Sequence, residues 1–265
     1  MTKTIRIKKF KFTMDDWLLS NLEIAKYEAI PNDWDFLIPV IGGEGSGKST
    51  HSSQIALFLD NNFDLNSTVF TAEQFIDAVD NAKNGQAILW DEAITGANIK
   101  MHYDEVNQAI VSKMTQIRDK NLYILMLIPY LNLLDKYFVS RCLGGIYVYA
   151  KDFNDRGHAY FYNQPQLEYL YFLQKVKYIF NPGKAYSEAP KSFYYAFDNV
   201  MCLPIKEYKQ KKHEARSNQN SASVTKSKII EEIFRTNSKA KVSVIMELLK
   251  VSDVMCYKVK KKLKI

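Results

Sequence analysis

The sequence predicts an α/β fold with a mostly parallel sheet, followed by a small all-α domain at the carboxyl end. Two apolar runs lead directly into polar residues: residues 36–41 precede a glycine-rich loop, and residues 87–90 precede two acids. Helix-like segments separate these runs, and such alternation is typical of a parallel sheet. Apolar periodicity fades after position 204 and returns near position 226, which indicates a second domain.

The net charge of +7 is distributed unevenly along the 265 residues. Residues 205–265 contain 16 Lys and Arg against 6 Asp and Glu, a net charge of +10, which leaves −3 on residues 1–204. A cationic carboxyl end on a nearly neutral body favours an acidic partner, either nucleic acid or an anionic membrane surface.

Several absences from the sequence narrow the class of protein. No apolar run reaches the ~18–20 residues that span a bilayer, because Pro129 and Asn132 interrupt the longest one. The first residues lack the apolar stretch and small-residue cleavage site of a secretory signal. Cys142, Cys202 and Cys256 are odd in number and far apart, which predicts neither a disulfide framework nor a zinc site. The sequence therefore predicts a reduced, cytoplasmic protein without a membrane span.

The glycine-rich loop fits the phosphate-binding pattern G-x-x-x-x-G-K-[ST]. Glycines free the backbone to point N–H groups at an anion, the lysine reaches the β/γ-phosphates, and the serine hydroxyl binds Mg²⁺ at the start of the helix. The alternative, a glycine-rich turn without a ligand, is disfavoured by the strand before the loop and the helix after it. The residues predicted to bind ATP are Gly42, Gly43, Glu44, Gly45, Ser46, Gly47, Lys48, Ser49 and Thr50.

The second motif is the apolar run that ends in Asp91 and Glu92. A strand parallel to the first one brings these acids to the same sheet edge as the phosphate loop. There we expect Asp91, together with Ser49, to hold Mg²⁺, and Glu92 to polarise the attacking water. The alternative is a strand end whose acids are merely solvated.

Composition divides the chain into three parts. We predict an ATP-binding domain over residues 1–204, a basic polar linker over residues 205–224, and a helical domain over residues 225–265. The linker prediction follows from a stretch rich in Lys, Gln, Asn and Ser with few apolar residues.

The helical domain resembles a helix-turn-helix of DNA-binding proteins. A short apolar helix meets a Val-Ser turn, and the serine is predicted to cap the helix that follows, with Cys256, Val259 and Leu263 facing the core. The residues expected to face duplex DNA are Ser252, Met255, Tyr257, Lys258 and Lys261. The alternative is a basic helical bundle that docks on the body or on a partner protein.

With these motifs, residues 38–150 look like the RecA-like core of additional-strand ATPases. The resemblance is to FtsK/HerA-type DNA translocases and to packaging or Zot-like ATPases of viruses and mobile elements. It implies a ring, usually a hexamer, in which an Arg of one subunit completes the catalytic site of its neighbour. Arg118, just before a buried strand, matches that position, and Arg141 is the competing choice. Either residue is alternatively a surface or structural Arg.

One departure from this family concerns the strand after the acids. The translocases tend to carry a polar sensor, often Gln, at the end of that strand, where this chain has Ile128-Pro129-Tyr130. The coupling of hydrolysis to movement is therefore the least supported part of the resemblance.

Three functions remain open from the sequence. The first is an ATP-driven DNA motor, either a translocase or a genome-packaging ATPase. The second is an ATP-switched DNA-binding protein, such as a replication initiator or loader of the AAA+ kind. The third is a nucleotide kinase, since the loop is similar to that of thymidylate kinases, but no Asp-Arg-Tyr/His acceptor segment follows it.

Overall fold

The structure is a computed structural model that describes residues 1–34, 36–91, 99–152, 154–249 and 251–263. These residues form two compact units, one built from most of residues 1–209 and one built mainly from the residues after position 209.

The described elements follow in chain order. The strands are β1 (Thr2–Ile7), β2 (Phe10–Asp15), β3 (Phe36–Ile41), β4 (Thr68–Val69), β5 (Ala87–Asp91), β6 (Tyr123–Ile128), β7 (Gly144–Tyr149), β8 (His158–Asn163) and β9 (Phe193–Ala196). The helices are α1 (Asp16–Ile24), α2 (Lys48–Leu59), α3 (Ala72–Asn81), α4 (Ile99–Asp119), α5 (Lys136–Arg141), α6 (Gln164–Phe172), α7 (Ala185–Glu188), α8 (Ile205–Thr236), α9 (Val242–Leu249) and α10 (Asp253–Leu263).

The larger unit is built on a seven-stranded sheet with the order β4-β5-β6-β3-β7-β8-β9. The first five strands in this order are parallel to one another. At one end of the sheet, β8 pairs antiparallel with β7, and β9 pairs antiparallel with β8. β1 and β2 form a separate hairpin. The predicted α/β fold with a mostly parallel sheet is therefore confirmed.

The central strands β3, β5 and β6 are buried along their whole length. Strands of a parallel sheet are covered on both faces, which explains why they read as continuous apolar runs. β6 lies between β3 and β5, and the register pairs Ile41 with Ile128 and Leu127 with Asp91. The carboxyl ends of β3 and β5 therefore lie at one sheet edge, separated by a single strand.

The smaller unit encloses its own apolar core between the last turns of α8, α9 and α10. The core residues are Ile230, Phe234, Ile245, Val251, Cys256 and Val259. α9 ends at Leu249 and α10 begins at Asp253. Ser252 Oγ accepts a hydrogen bond from Met255 N–H (3.3 Å), as expected of a helix cap. Cys256 and Val259 face this core, as the sequence predicts, and Leu263 packs against it.

Residues 205–224, which the sequence predicts to be a basic polar linker, belong to α8. Lys, Gln, Glu and Ala are all good helix formers, and a solvated helix needs no apolar face along its whole length. Low apolar content is therefore compatible with a regular helix.

Among the helices that the structure describes, none combines the length and the apolar character that crossing a membrane requires.

Candidate functional site

The glycine-rich loop lies at the carboxyl edge of the sheet, between the end of β3 and the start of α2. The N–H of Gly42 donates to the carbonyl of Ile128 at the end of β6 (3.1 Å), which ties the loop to the neighbouring strand. Gly42, Gly45 and Gly47 adopt positive φ angles of 150°, 73° and 104°. α2 begins at Lys48, so the N–H groups of its first turn face the loop.

The side chain of Lys48 contacts the backbone of this loop. Its Nζ donates to the carbonyl oxygens of Gly42 (2.6 Å) and Gly43 (2.7 Å). The ammonium is thereby held inside the loop, where a phosphate oxygen would offer it a stronger, charged acceptor. This placement fits the role predicted for Lys48.

Two further features fit a loop shaped around an anion. A Cβ on Gly42 would lie 2.1 Å from the carbonyl oxygen of Val148, so no larger residue fits there without moving β7. The hydroxyl of Ser46 is buried and has no hydrogen-bond partner among the described residues. A buried polar atom normally finds a partner, and a ligand oxygen would supply one here.

Ser49 and Asp91 meet across β6. Ser49 Oγ donates to Asp91 Oδ2 at 2.8 Å, and Asp91 is only 3% exposed. In the described part of the chain, no group of three or more His, Cys, Asp or Glu side chains could hold a metal. One hydroxyl and one carboxylate suit Mg²⁺ that also binds the phosphates of a nucleotide, because Mg²⁺ rarely occupies an all-protein cage.

A third side chain reaches the same carboxylate. The hydroxyl of Tyr208, in the first turn of α8, donates a hydrogen bond to Asp91 Oδ2. The Tyr208 ring packs near Phe70, with 5.7 Å between the ring centroids, and the side chain is buried. No motif includes Tyr208, which lies in the basic stretch that the sequence predicts to be a linker.

Glu92, the residue predicted to polarise the attacking water, lies outside the described residues, so its position is not part of the site's geometry.

The chain that follows β9 fixes α2 in place. Gln54 Nε2 donates to the carbonyls of Asp198 (2.7 Å) and Val200 (2.9 Å), and Ser53 Oγ accepts from the N–H of Cys202 (2.9 Å). These polar side chains of α2 are buried, and each bond satisfies a group that burial would otherwise leave unpaired. The helix that starts at the phosphate loop is therefore anchored by residues far away in the sequence.

His51, on α2 beside the loop, is a titratable side chain that is only 1% exposed. Its ring is stacked on Phe197 (4.1 Å between centroids), and Nε2 lies 2.8 Å from the hydroxyl of Tyr195. Phe197 in turn approaches Gly47, where an added Cβ would meet its ring at 3.3 Å. Burial lowers the pKa of His51 to about 4, so the imidazole is neutral in the folded protein at neutral pH.

We expect the protein to lose stability as the pH falls from about 6.5 to about 4. In that window the unfolded chain binds a proton at His51 and the folded chain does not. The free energy of unfolding should therefore fall by about 3 kcal/mol at most. Urea unfolding at several pH values would measure this slope. The slope should flatten in His51→Gln and persist in His213→Gln, a change at an exposed position on α8. An unchanged slope in His51→Gln would contradict the assignment.

Arg118 and Arg141 lie together, away from the phosphate loop. Both line a cavity of about 760 Å³ that also includes Trp34. Arg118 precedes β6, Arg141 precedes β7 and Trp34 precedes β3, so the cavity lies at the amino-terminal edge of the sheet. The structure therefore does not bring either arginine to the phosphate loop of its own chain.

The predicted DNA-facing residues differ in exposure. Tyr257 is 58% exposed, and Lys258 and Lys261 are exposed as well. The sequence predicts that Met255 faces the DNA, but its side chain is partly buried and packs against the core of the smaller unit. Met255 directly precedes Cys256, which belongs to that core.

Comparisons with known proteins do not assign a family. No family model matches the chain, and the search of curated proteins found no match.

Proposed function

We propose that this chain is a Mg²⁺-dependent ATPase that acts on DNA. The observation that carries the proposal is the hydrogen bond from Ser49 to Asp91, which joins the end of the phosphate loop to a buried carboxylate on β5. The Gly42 backbone, the Lys48 ammonium and the buried Ser46 hydroxyl support the same reading, because each fits an anion held in the loop.

The residues have distinct parts in the proposed reaction. Lys48 and the backbone N–H groups of the loop would hold the triphosphate, and Ser49 with Asp91 would hold Mg²⁺, which neutralises phosphate charge when bound. Burial of Asp91 keeps water away from its carboxylate and strengthens its interaction with a cation. Glu92 remains the proposed residue that orients the attacking water.

The strand order supports a relation to additional-strand ATPases. One strand, β6, separates the strand before the phosphate loop from the strand that ends at Asp91. The proposed motor is a ring of several copies, in which Arg118 or Arg141 of one copy serves the nucleotide of the next. Their location at the sheet edge opposite the phosphate loop suits contact with a neighbour rather than with the same chain's nucleotide.

A specific observation favours an ATP-switched DNA-binding protein as the second candidate. β6 ends at Ile128 and is followed by Pro129 and Tyr130, so the position at which the translocases tend to carry a polar sensor has no Gln. The side chain of Tyr130 is 38% exposed. A switch that resets slowly needs no such sensor. Sustained movement along duplex DNA would favour the motor, whereas ATP-dependent assembly with slow turnover would favour the switch.

Asp91→Asn is expected to lower the rate of ATP hydrolysis by about 100-fold or more, because the variant keeps the shape and loses the charge that holds Mg²⁺. Phosphate release should be followed at increasing Mg²⁺, with and without duplex DNA. Asp80→Asn is the matched control, since Asp80 is a surface carboxylate paired with Lys113. Hydrolysis by Asp91→Asn at the normal rate would refute the proposed metal site.

A further inference from the structure

Tyr208 belongs to the metal site by geometry, although it lies in a different part of the sequence. Asp91 Oδ2 accepts hydrogen bonds from two hydroxyls, Ser49 Oγ on α2 and Tyr208 Oη on α8. The carboxylate is therefore held by two separate helices.

Such a double anchor has a physical consequence for the carboxylate. The side chain of Asp91 can rotate about its χ angles unless its oxygens are fixed, and a metal site requires one orientation. Ser49 alone cannot supply a fixed reference, because its hydroxyl is itself proposed to bind the metal. A donor that does not bind the metal is needed, and Tyr208 is placed to be that donor.

The packing of Tyr208 shows that its hydroxyl is held firmly. Its ring is buried and lies against Phe70, which follows β4, so the phenol is supported by the sheet as well as by α8. An exposed tyrosine would gain little from a bond to a carboxylate, since water would compete for both groups. A buried hydroxyl bonded to a buried carboxylate interacts more strongly, because the surroundings have a lower dielectric constant.

We propose that Tyr208 is the positioning residue of the Mg²⁺ site, which orients Asp91 through its hydroxyl and remains bonded to it when the metal is present. This inference rests on the proposed function. It assigns a role in the nucleotide site to the first turn of α8, a helix that also continues into the smaller unit.

The test is Mg²⁺-dependent nucleotide binding by the full chain and by Tyr208→Phe, which removes only the hydroxyl and keeps the ring against Phe70. Binding of a fluorescent ATP analogue should be titrated with Mg²⁺ and repeated in EDTA. We expect the half-saturating Mg²⁺ concentration to rise about tenfold in the variant. Nucleotide affinity in EDTA should stay unchanged. A general loss of structure would instead lower the nucleotide affinity both with Mg²⁺ and in EDTA.

Tyr178→Phe is the matched control, because the hydroxyl of Tyr178 donates to the carboxylate of Glu188 (2.6 Å) at a surface position. It should leave the Mg²⁺ titration unchanged. An unchanged half-saturating concentration in Tyr208→Phe would overturn the positioning role, and a lower one would show that the hydroxyl competes with the metal instead. If the wild-type chain binds the nucleotide without any dependence on Mg²⁺, the proposed function fails, and this inference fails with it.

Discussion

Replacing Lys48 by alanine is expected to weaken ATP binding by at least about 100-fold. Lys48 is the cation within residues 42–50, and its ammonium lies 2.6 Å and 2.7 Å from two carbonyl oxygens of the loop. In the proposed complex the ammonium exchanges these neutral acceptors for charged phosphate oxygens. A hydrogen bond to a charged group contributes about 1.5–3 kcal/mol, so the loss of two such bonds gives an effect of this size.

Isothermal titration calorimetry with ATP and with tripolyphosphate would measure the effect. Both ligands should lose affinity, because Lys48 is proposed to contact the phosphates and not the base. Lys113→Ala is the matched control, since Lys113 pairs with Asp80 on the surface of the same unit. A thermal melt of each variant distinguishes a damaged loop in a folded protein from loss of the folded protein. Full affinity for ATP in Lys48→Ala would refute the phosphate-loop assignment.

The parts of the fold that the sequence predicts are those in which local pattern and burial agree. β3, β5 and β6 are recognisable because both faces of each strand are buried, so their residues are apolar except for Asp91 at the end of β5. β9 gave no such signal. Its residues alternate between exposed and buried positions at the edge of the sheet, and its pairing with β8 depends on residues far earlier in the chain.

The residues of the candidate site also differ in whether the sequence predicts them. The sequence predicts that Ser49 and Asp91 lie together, because each belongs to a motif with a known place on a strand or helix. In the structure, Ser49 Oγ lies 2.8 Å from Asp91 Oδ2. Tyr208 and His51 carry no motif. Their contacts join α8 and α2 to strands that are distant in sequence, and only the folded chain brings those elements together.

The α8 region shows why composition alone misleads about secondary structure. Residues 205–224 have few apolar side chains, and this pattern predicts poor packing but says little about backbone conformation. Tyr208 is one of the buried residues at the start of this helix. Within residues 205–224, Tyr208 is a buried aromatic side chain among polar neighbours, and one such residue sets no periodic pattern that the sequence could reveal.

Reversing two charges on α10, in the double variant Lys258→Glu and Lys261→Glu, is expected to weaken binding to duplex DNA by at least about 100-fold at low salt. Both lysines are exposed on the helix that the helix-turn-helix resemblance places against DNA. Each cation near a phosphate releases counterions on binding, so losing two contacts should lower the slope of log affinity against log salt by about 2. Fluorescence anisotropy of a labelled random-sequence duplex, recorded from about 50 to 200 mM salt, would measure both quantities.

The matched control is the double variant Lys239→Glu and Lys241→Glu, which changes the net charge equally at two exposed positions between α8 and α9. If α10 lies against the DNA, the α10 variant should lose far more affinity than the control, because screening limits the effect of charges that are distant from the phosphates. Equal losses in both variants would show that the +10 charge of residues 205–265 attracts DNA without a defined contact surface. In that case the helix-turn-helix assignment would fail while the ATPase proposal, which depends on Ser49 and Asp91, would stand.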